Sequence, residues 1–287
     1  MGLFSKNCAI CGGSGSALSS KKLADGYICS NCISRLSPWF DDYKHSSTED
    51  IRRQLEYRED NRKALDDFEV TKAWGIKKYA DAMQFVYDAG KRQFVICEGP
   101  ADTMEDFADR NPDIISFDQV KDVWLEVDEY WTEGNGEFEA RPFNQNLTQD
   151  KYKEVYWRYD FYLGIRTDHP YAGEIRYKMN YKPTIMKVPN NGIFFRRGVG
   201  IGGVYRGEEL TELATQLEAF ADSEANASEL RRKLDVLLLR NKDRGVMDSV
   251  KAGITRAVNE EIYFRKIGNM GAHAARAARI SKLLLNG

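Results

Sequence analysis

Two pairs of cysteines near the N-terminus are the residues whose type and spacing most clearly predict chemistry. Cys8 and Cys11 form the first pair, Cys29 and Cys32 form the second, and 17 residues separate the two pairs. This C-x2-C-x17-C-x2-C pattern is typical of a structural zinc site. Two residues between paired cysteines let a tight turn direct both sulfurs at one ion, and a second turn completes a tetrahedron. We therefore predict that these four cysteines bind Zn2+.

Four cysteines could also form two disulfides, a redox pair or an iron site. Two disulfides would satisfy the same count, but the N-terminus resembles no signal peptide, which indicates a reducing compartment. A redox C-x-x-C normally stands alone beside a βαβ pattern. Iron in a rubredoxin-like site is the main alternative metal. Four thiolates leave no position open for water, so the metal is predicted to be structural. A module of about 40 residues has little core, so metal removal should unfold it.

The sequence around the cysteines predicts the elements that position them. Asp25-Gly26 lies between two short extended segments and favours a hairpin turn. Gly12 and Gly13 follow the first pair, where the backbone must turn sharply. Residues 33–36 are predicted to form a short helix that ends before Pro38. Together these elements indicate a zinc ribbon or treble-clef module.

The next segment is predicted to be helical, and the one after it to be rich in strands. Ser47 to Asp50 resembles a helix N-cap, so residues 48–68 should form a helix with one thin apolar stripe and a solvated charged face. From 82 to 204, short alternating segments predict antiparallel strands in a curved sheet or small barrel. The predicted strands are 83–87, 93–97, 114–117, 123–127, 156–163 and 174–179. A long hairpin loop is expected at 133–150, and a helix at 208–222 should cap the sheet.

The C-terminal stretch is predicted to contain three helices. The first begins at Ser228, and Gly245 and Gly268 separate it from the next two. In the last helix, three basic residues recur at every third position and line one side. They are Arg276, Arg279 and Lys282.

The net charge of −2 hides two segments of opposite charge. Residues 98–139 hold 14 acidic and two basic side chains, whereas residues 230–287 hold 13 basic and five acidic ones. We expect the basic tail to dock on the acidic segment, in the same chain or in a neighbouring copy. Contact with nucleic acid or an anionic membrane surface is the alternative, which an acidic domain in the same chain disfavours.

The remaining reactive residues form no recognisable catalytic motif. His45 is expected at the surface, His169 in a turn between strands and His273 within a helix. Cys97 falls in an apolar strand and is expected to be a buried, inert thiol. The glycine-rich segment 196–203 matches the bare G-x-G-x-x-G spacing but lacks a surrounding βαβ unit, so we expect a loop. The sequence therefore predicts that the protein is not an enzyme.

Residues 8–40 resemble a known family. Cys8-Ala9-Ile10-Cys11-Gly12, the segment from Lys22 to Cys29, and Leu36-Ser37-Pro38-Trp39-Phe40 after Cys32 are similar to a bacterial zinc-ribbon family of unknown function. Its members begin with a zinc- or iron-chelating four-cysteine domain. Thr48 to Arg52 is similar to that family's continuation, and residues 116–120 and 169–180 are compatible with the segment that follows. The resemblance implies a β-rich, pleckstrin-homology-like domain with a closing helix. It implies no activity, and it stops at residue 222.

These inferences combine into an α+β protein with four parts. They are a zinc-ribbon module (1–42), a connecting helix (43–80), a β-rich pleckstrin-homology-like domain (81–222) and a basic helical tail (223–287). The predicted function is a non-catalytic adaptor or scaffold whose β domain binds a protein, a peptide or a lipid headgroup. The alternative is a nucleic-acid-associated regulatory factor. The sequence contains no stretch of about 18 apolar residues, so it predicts no transmembrane helix, and we expect a cytoplasmic protein. A protein partner or homo-oligomer through the C-terminal helices is also expected.

Overall fold

The protein is an assembly of helices and antiparallel sheets. The structure is a computed structural model, which describes residues 5–16, 19–75, 83–98, 110–133, 155–188, 200–219, 221–222 and 244–286. The chain divides into two compact units. Unit 1 comprises Met1–Asp122, Gly164–Tyr177 and Leu284–Gly287, and unit 2 comprises Val123–Leu163 and Lys178–Leu283. The predicted α+β class is confirmed, and the predicted boundaries of the four parts stay predictions.

The N-terminal module contains two small hairpins and a short helix. Strands β1 (Ser5–Asn7) and β2 (Ser14–Ser16) pair antiparallel, as do β3 (Lys21–Lys22) and β4 (Tyr27–Ile28). The turn at Asp25-Gly26 therefore forms the predicted hairpin. Helix α1 (Ser30–Ile33) begins immediately after Cys29, earlier than predicted.

Helix α2 (Thr48–Leu65) starts where its capping sequence predicts. The Ser47 hydroxyl accepts a hydrogen bond from the Asp50 amide, and the Asp50 carboxylate accepts one from the Ser47 amide. The Asp25 carboxylate accepts two further hydrogen bonds, from the backbone amide and the hydroxyl of Thr48, at 2.7 and 2.9 Å. These bonds lower the pKa of Asp25. The tip of the β3–β4 hairpin is thereby fastened to the start of α2.

A four-stranded sheet follows α2 in unit 1. Its strands are β5 (Lys72–Gly75), β6 (Met83–Asp88), β7 (Gln93–Glu98) and β8 (Ile115–Ser116), in the order β5–β6–β7–β8 with antiparallel neighbours. The core between this sheet and α2 consists of Leu65, Phe68, Val86, Val95, Cys97 and Ile114. Strand β8 is shorter than predicted because Ser116 caps a 3-10 turn at Phe117–Gln119.

A five-stranded sheet contains the longer strands. They are β9 (Val120–Glu133), β10 (Val155–Thr167), β11 (Glu174–Lys178), β12 (Thr184–Val188) and β13 (Gly203–Arg206). The order is β11–β10–β9–β13, and β12 also pairs with β10. The predicted loop at 133–150 lies outside the described residues, except for Glu133 at the end of β9.

The prediction of a helix boundary at Gly268 is wrong, whereas the boundary at Gly245 stays a prediction because residues 223–243 lie outside the described part of the chain. Helix α3 covers residues 207–219, as expected, but α4 runs without a break from Arg244 to Asn286 and includes both glycines. Nearby Gly271 lies against α3, where an added Cβ would come 3.3 Å from the Leu217 Cβ. At this contact the absence of a side chain permits close packing, which offsets a helix-propensity cost of about 1 kcal/mol. The predicted cap at Ser228 lies outside the described residues.

In the described part of the chain, every helix is too short or too polar to cross a lipid bilayer.

Candidate metal centre

The structure brings the four predicted cysteine ligands together. Their Sγ atoms all lie within 4.8 Å of one another. The Cys8 and Cys32 sulfurs are 3.8 Å apart, and so are those of Cys11 and Cys29. Four sulfurs held about 2.3 Å from a tetrahedral ion are separated by about 3.8 Å. The cluster therefore has the dimensions of a four-thiolate metal site.

The first cysteine pair sits on a tight turn. The Gly12 amide donates to the Cys8 carbonyl at 2.9 Å, and the Cys8 amide donates to the Gly13 carbonyl at 2.8 Å. Gly12 has a φ of 72°, which side-chain-bearing residues rarely adopt. An added Cβ at Gly13 would lie 3.4 Å from the Cys11 sulfur. The two glycines therefore turn the chain back beneath the sulfurs.

The second pair is held by the start of α1. Cys29 is the N-cap residue of this helix, and Cys32 lies within it. The amides of Cys32 and Ile33 both donate to the Cys29 carbonyl, at 3.1 and 3.0 Å. This single helical turn directs both sulfurs to the same side.

Backbone contacts join the two turns. The Ala9 amide donates to the Tyr27 carbonyl at 2.8 Å, and the Cys29 amide approaches the Cys8 sulfur at 3.4 Å. At Gly26, an added Cβ would come 3.0 Å from the Ala9 Cβ, so glycine permits this approach. The β3–β4 hairpin thus sets the distance between the two cysteine pairs.

The four sulfurs differ in exposure. Cys8 and Cys32 are 3% and 2% exposed, whereas Cys11 is exposed and Cys29 is half-buried. Burial raises the pKa of Cys8, but hydrogen bonds from the amides of Cys11, Cys29 and Ile10 outweigh it and lower the pKa to about 6. Burial raises the pKa of Cys32 above its usual value. Two ligands thus belong to the core, and two lie towards solvent.

The module core depends on the same cysteines. Six buried side chains form it, and part-buried neighbours such as Leu55 pack against them. The six are Cys8, Leu23, Ile28, Cys32, Leu36 and Ile51. Since Ile51 belongs to α2, the first turns of that helix complete the module.

The donor set fits a thiophilic metal ion. All five cysteines lie within the described residues and are free thiols. A disulfide requires sulfurs about 2.05 Å apart, far less than the observed 3.8 Å. Four sulfur donors in a tetrahedral array suit Zn2+ or an iron ion.

The other candidate residues do not join this cluster. His45 is exposed and bonds Asp42 through Nδ1 at 2.5 Å. His169 is buried in the turn after β10, where its Nε2 lies 2.7 Å from the Tyr57 hydroxyl. Cys97 is buried in the core beneath the four-stranded sheet, and burial raises its pKa above the usual value.

The His169 side chain is locked in one orientation. Its Nδ1 accepts a hydrogen bond from the Tyr171 amide at 3.2 Å, so its Nε2 carries the proton towards Tyr57. Burial lowers the pKa of His169 and raises that of Tyr57 to about 12. Burial therefore favours the neutral form of both groups.

The described part of the glycine-rich segment binds a carboxylate of the protein itself. The amides of Gly200 and Gly202 donate to Glu129 at 3.0 and 2.8 Å, and the Tyr159 hydroxyl donates to it at 3.1 Å. Arg196 and Arg197 lie outside the described residues. The loop does present amides to an anion, but Glu129 already occupies them.

The predicted basic stripe lies near the end of α4. Arg279 and Lys282 are exposed, and Arg276 is half-buried. The Arg279 side chain donates to the Ala275 carbonyl at 3.2 Å. The acidic segment lies partly outside the described residues, so its predicted docking stays a prediction.

A buried polar stripe on α2 was not predicted from the sequence. The charged side chains of this helix were predicted to lie in solvent. Arg58 pairs with Asp113 at 2.5 Å, and the side chains are 5% and 0% exposed. Asp113 also accepts from Ser37 at 2.6 Å, and Asn61 donates to the Pro112 carbonyl at 2.8 Å. A signal was present, since positions 51, 54, 58, 61 and 65 follow one helix face.

Comparison with known proteins matches only the N-terminal region. Residues 6–54 match a domain of unknown function, DUF4428. The matched range contains all four cysteines and ends within α2, beyond Ile51 of the module core. No curated protein and no solved structure matches this chain.

Proposed function

We propose that Cys8, Cys11, Cys29 and Cys32 hold a structural Zn2+ ion in a ribbon or treble-clef module. The observation that carries this proposal is the sulfur geometry: all four sulfurs lie within 4.8 Å of one another, and two of the separations are 3.8 Å, the edge of a zinc–thiolate tetrahedron. Zinc is favoured over iron because two C-x2-C pairs are a ligand set typical of structural zinc, which has no redox chemistry. With four protein ligands, the ion would have no open position for substrate.

The metal content of the purified chain tests this proposal. We expect about one equivalent of zinc per chain, measured by elemental analysis, and its loss in Cys29→Ser. Cys97→Ser is the matched control, because Cys97 is a buried thiol in a different core. Wild-type protein that folds without metal in residues 6–54 would contradict the structural role.

We further infer that the protein is a non-catalytic adaptor or scaffold, with zinc fixing a small recognition surface. Support comes from the closed donor set and from the state of the other candidate groups. Tyr57 holds the His169 ring, burial favours its neutral form, and Cys97 is enclosed among apolar side chains. A nucleophile would need a lowered pKa or a nearby base.

For the β-rich region, we propose a pleckstrin-homology-like domain that binds a protein, a peptide or a lipid headgroup. The antiparallel strands and the helix at 207–219 that follows β13 support this interpretation. Co-sedimentation of the full chain with vesicles tests the lipid branch. Binding that needs phosphoinositide in a phosphatidylcholine vesicle would support it, and equal sedimentation with and without phosphoinositide would remove it.

A second candidate function is association with nucleic acid, favoured by the exposed Arg279 and Lys282 at the end of α4. If three basic side chains contact phosphates, log K should fall with log salt at a slope of about −2.7. Replacing Arg276, Arg279 and Lys282 by Gln should abolish that slope. The matched control replaces Arg62 and Lys63 on α2, both exposed, and should leave it unchanged. No binding at low salt would reject this candidate.

Self-association is the remaining proposal for the C-terminal helices. Light scattering of the full chain measures it directly, because a homo-oligomer has a mass that is a multiple of 32.9 kDa.

A further inference from the structure

The four cysteine sulfurs are divided into a buried pair and a solvent-facing pair. The buried pair, Cys8 and Cys32, lies in the module core at 3% and 2% exposure. In the other pair, Cys11 is exposed and Cys29 is half-buried. Each pair contains one cysteine from each C-x-x-C turn, and within each pair the sulfurs are 3.8 Å apart.

We propose that Cys11 and Cys29 form an oxidation site, at which peroxide converts two metal ligands into a disulfide and releases the ion. This inference rests on the proposed zinc function. Cys11 is the first sulfur attacked because oxidation of a thiolate follows its exposure. Cys29 is the resolving cysteine because its sulfur lies 3.8 Å away and is itself partly accessible.

The chemistry balances with a hydroperoxide as the only added reactant. The Cys11 thiolate attacks one peroxide oxygen, which forms a sulfenic acid and releases hydroxide. The Cys29 thiolate then attacks the Cys11 sulfur, which forms the S–S bond and releases a second hydroxide. Two thiolates lose two electrons in total, and the peroxide gains them. The ion keeps only the Cys8 and Cys32 sulfurs, which is too few to retain it in a four-ligand site.

The turn that carries Cys11 can accommodate the shorter sulfur distance. A disulfide needs the two sulfurs about 2.05 Å apart, so one must move towards the other. Cys11 precedes Gly12, where an added Cβ would meet no atom within 4 Å, so the turn has open space beside it. Cys8 and Cys32, in contrast, are surrounded by Leu23, Ile28, Leu36 and Ile51. The core therefore holds the buried pair while the exposed pair reacts.

Loss of the ion would reach α2 through the module core. Ile51 is part of that core and belongs to α2, whose other end contributes Leu65 to the core beneath the four-stranded sheet. Oxidation would thus loosen the start of a helix that both cores share, which is a route by which a redox signal can change a recognition surface.

The test treats the zinc-loaded full chain with hydrogen peroxide, follows zinc release with a chromogenic chelator and maps disulfides by peptide mass spectrometry. We expect zinc release together with a Cys11–Cys29 disulfide as the first product, and recovery of zinc binding after reduction with dithiothreitol. Cys97→Ser should behave as wild type.

The decisive variant is Cys11→His. Histidine keeps a fourth ligand, as in Cys3His sites, but cannot form the disulfide. We expect Cys11→His to bind zinc and, under peroxide, to release it at about one tenth of the wild-type rate or more slowly still. Release at the wild-type rate, a first disulfide between Cys8 and Cys32, or zinc retained under peroxide would each overturn the oxidation site alone. A wild-type chain that binds no zinc would overturn the proposed function and this inference together. If Cys11→His binds no zinc, the disulfide map of the wild-type protein tests the oxidation site instead. A first disulfide between Cys11 and Cys29 supports it, and a first disulfide between other cysteines overturns it.

Discussion

The cysteine module and the contact between α3 and α4 achieve cohesion by different means. The module core has six buried residues, and two of them are cysteines of the four-sulfur cluster. Where α3 meets α4, Gly271 brings the helices so close that even a methyl group would crowd Leu217 and Glu218. Under the proposed function, the first region depends on a bound metal ion, whereas the second depends on the fit between its own atoms.

Because the two regions depend on different interactions, a perturbation of one should leave the other unchanged. A chelator would remove the metal ion from the module but leave the helix contact unaltered. A larger side chain at the helix contact alters packing but leaves the sulfur cluster unaltered.

Metal removal should unfold the module while α3 and α4 stay folded. Structural zinc contributes about 10 kcal/mol or more to the folding of small modules, far more than a core of this size provides. Hydrogen exchange of the chelated full chain should show lost protection in residues 6–54 and retained protection in α4. Equal loss in both regions, or in neither, would contradict the separation.

Asp113→Ala should destabilise the protein by about 3–5 kcal/mol, because it leaves the Arg58 guanidinium buried without its counter-ion. Asp113 also accepts from Ser37 of the N-terminal region, so this substitution tests a polar attachment that needs no metal. Urea unfolding measures the loss, and zinc content should not change.

The control for this variant is Asp60→Ala. Asp60 pairs with Lys63 at 2.9 Å, but both side chains are 76% exposed. An exposed pair of this kind contributes about 0.5 kcal/mol or less. Similar losses for Asp60→Ala and Asp113→Ala would show that burial of the Arg58 pair has no special effect.

Mild acid should weaken unit 2 through His273. This histidine lies on α4 and stacks on Phe161 at 5.1 Å, and burial, helped by Arg276, lowers its pKa to about 4. Since the unfolded chain has a histidine pKa of about 6.5, it binds a proton more readily than the folded chain between pH 6.5 and 4. Stability should therefore fall as pH drops through this window, by about 3 kcal/mol at most.

His273→Phe tests this assignment. The variant keeps an aromatic ring against Phe161 and removes the proton-binding group, whose buried Nδ1 has no hydrogen-bond partner among the described residues. Its thermal midpoint should change less with pH than that of the wild type. An unchanged pH profile would assign the acid sensitivity to another group.

Gly271→Leu should cost about 1–3 kcal/mol by overpacking the contact between α3 and α4. Gly268→Ala is the matched variant, since its Cβ would lie an ordinary 3.6 Å from the Ala221 Cβ. That substitution should stabilise the helix by up to about 1 kcal/mol. Thermal unfolding compares the two. Destabilisation by both to the same degree would show that crowding does not distinguish these positions.

Local sequence signals predicted the cysteine cluster, the hairpin at Asp25-Gly26 and the start of α2. Each depends on residues close together in the chain, where turn and capping preferences act directly. The Gly268 boundary was wrong because a glycine inside a helix costs only about 1 kcal/mol relative to alanine, and the close contact of nearby Gly271 with α3 offsets a cost of this size. The sequence gives no direct sign of that long-range contact.

The buried stripe on α2 was missed for a different reason. One face of α2 carries Ile51 and Leu65 together with Gln54, Arg58 and Asn61. The last three have polar side chains, which predict exposure to solvent. The burial of Arg58 and Asn61 depends on partners at residues 111–114, more than 50 positions away in the chain. The Glu129 contact with Gly200 and Gly202 is similarly remote in sequence.

X-ray absorption at the zinc edge of the purified protein tests directly whether four cysteine sulfurs bind one zinc ion. The structure predicts one shell of four sulfurs at about 2.3 Å from the ion. Fewer than four sulfurs, or nitrogen or oxygen ligands at about 2.0–2.2 Å, would contradict a site formed by Cys8, Cys11, Cys29 and Cys32.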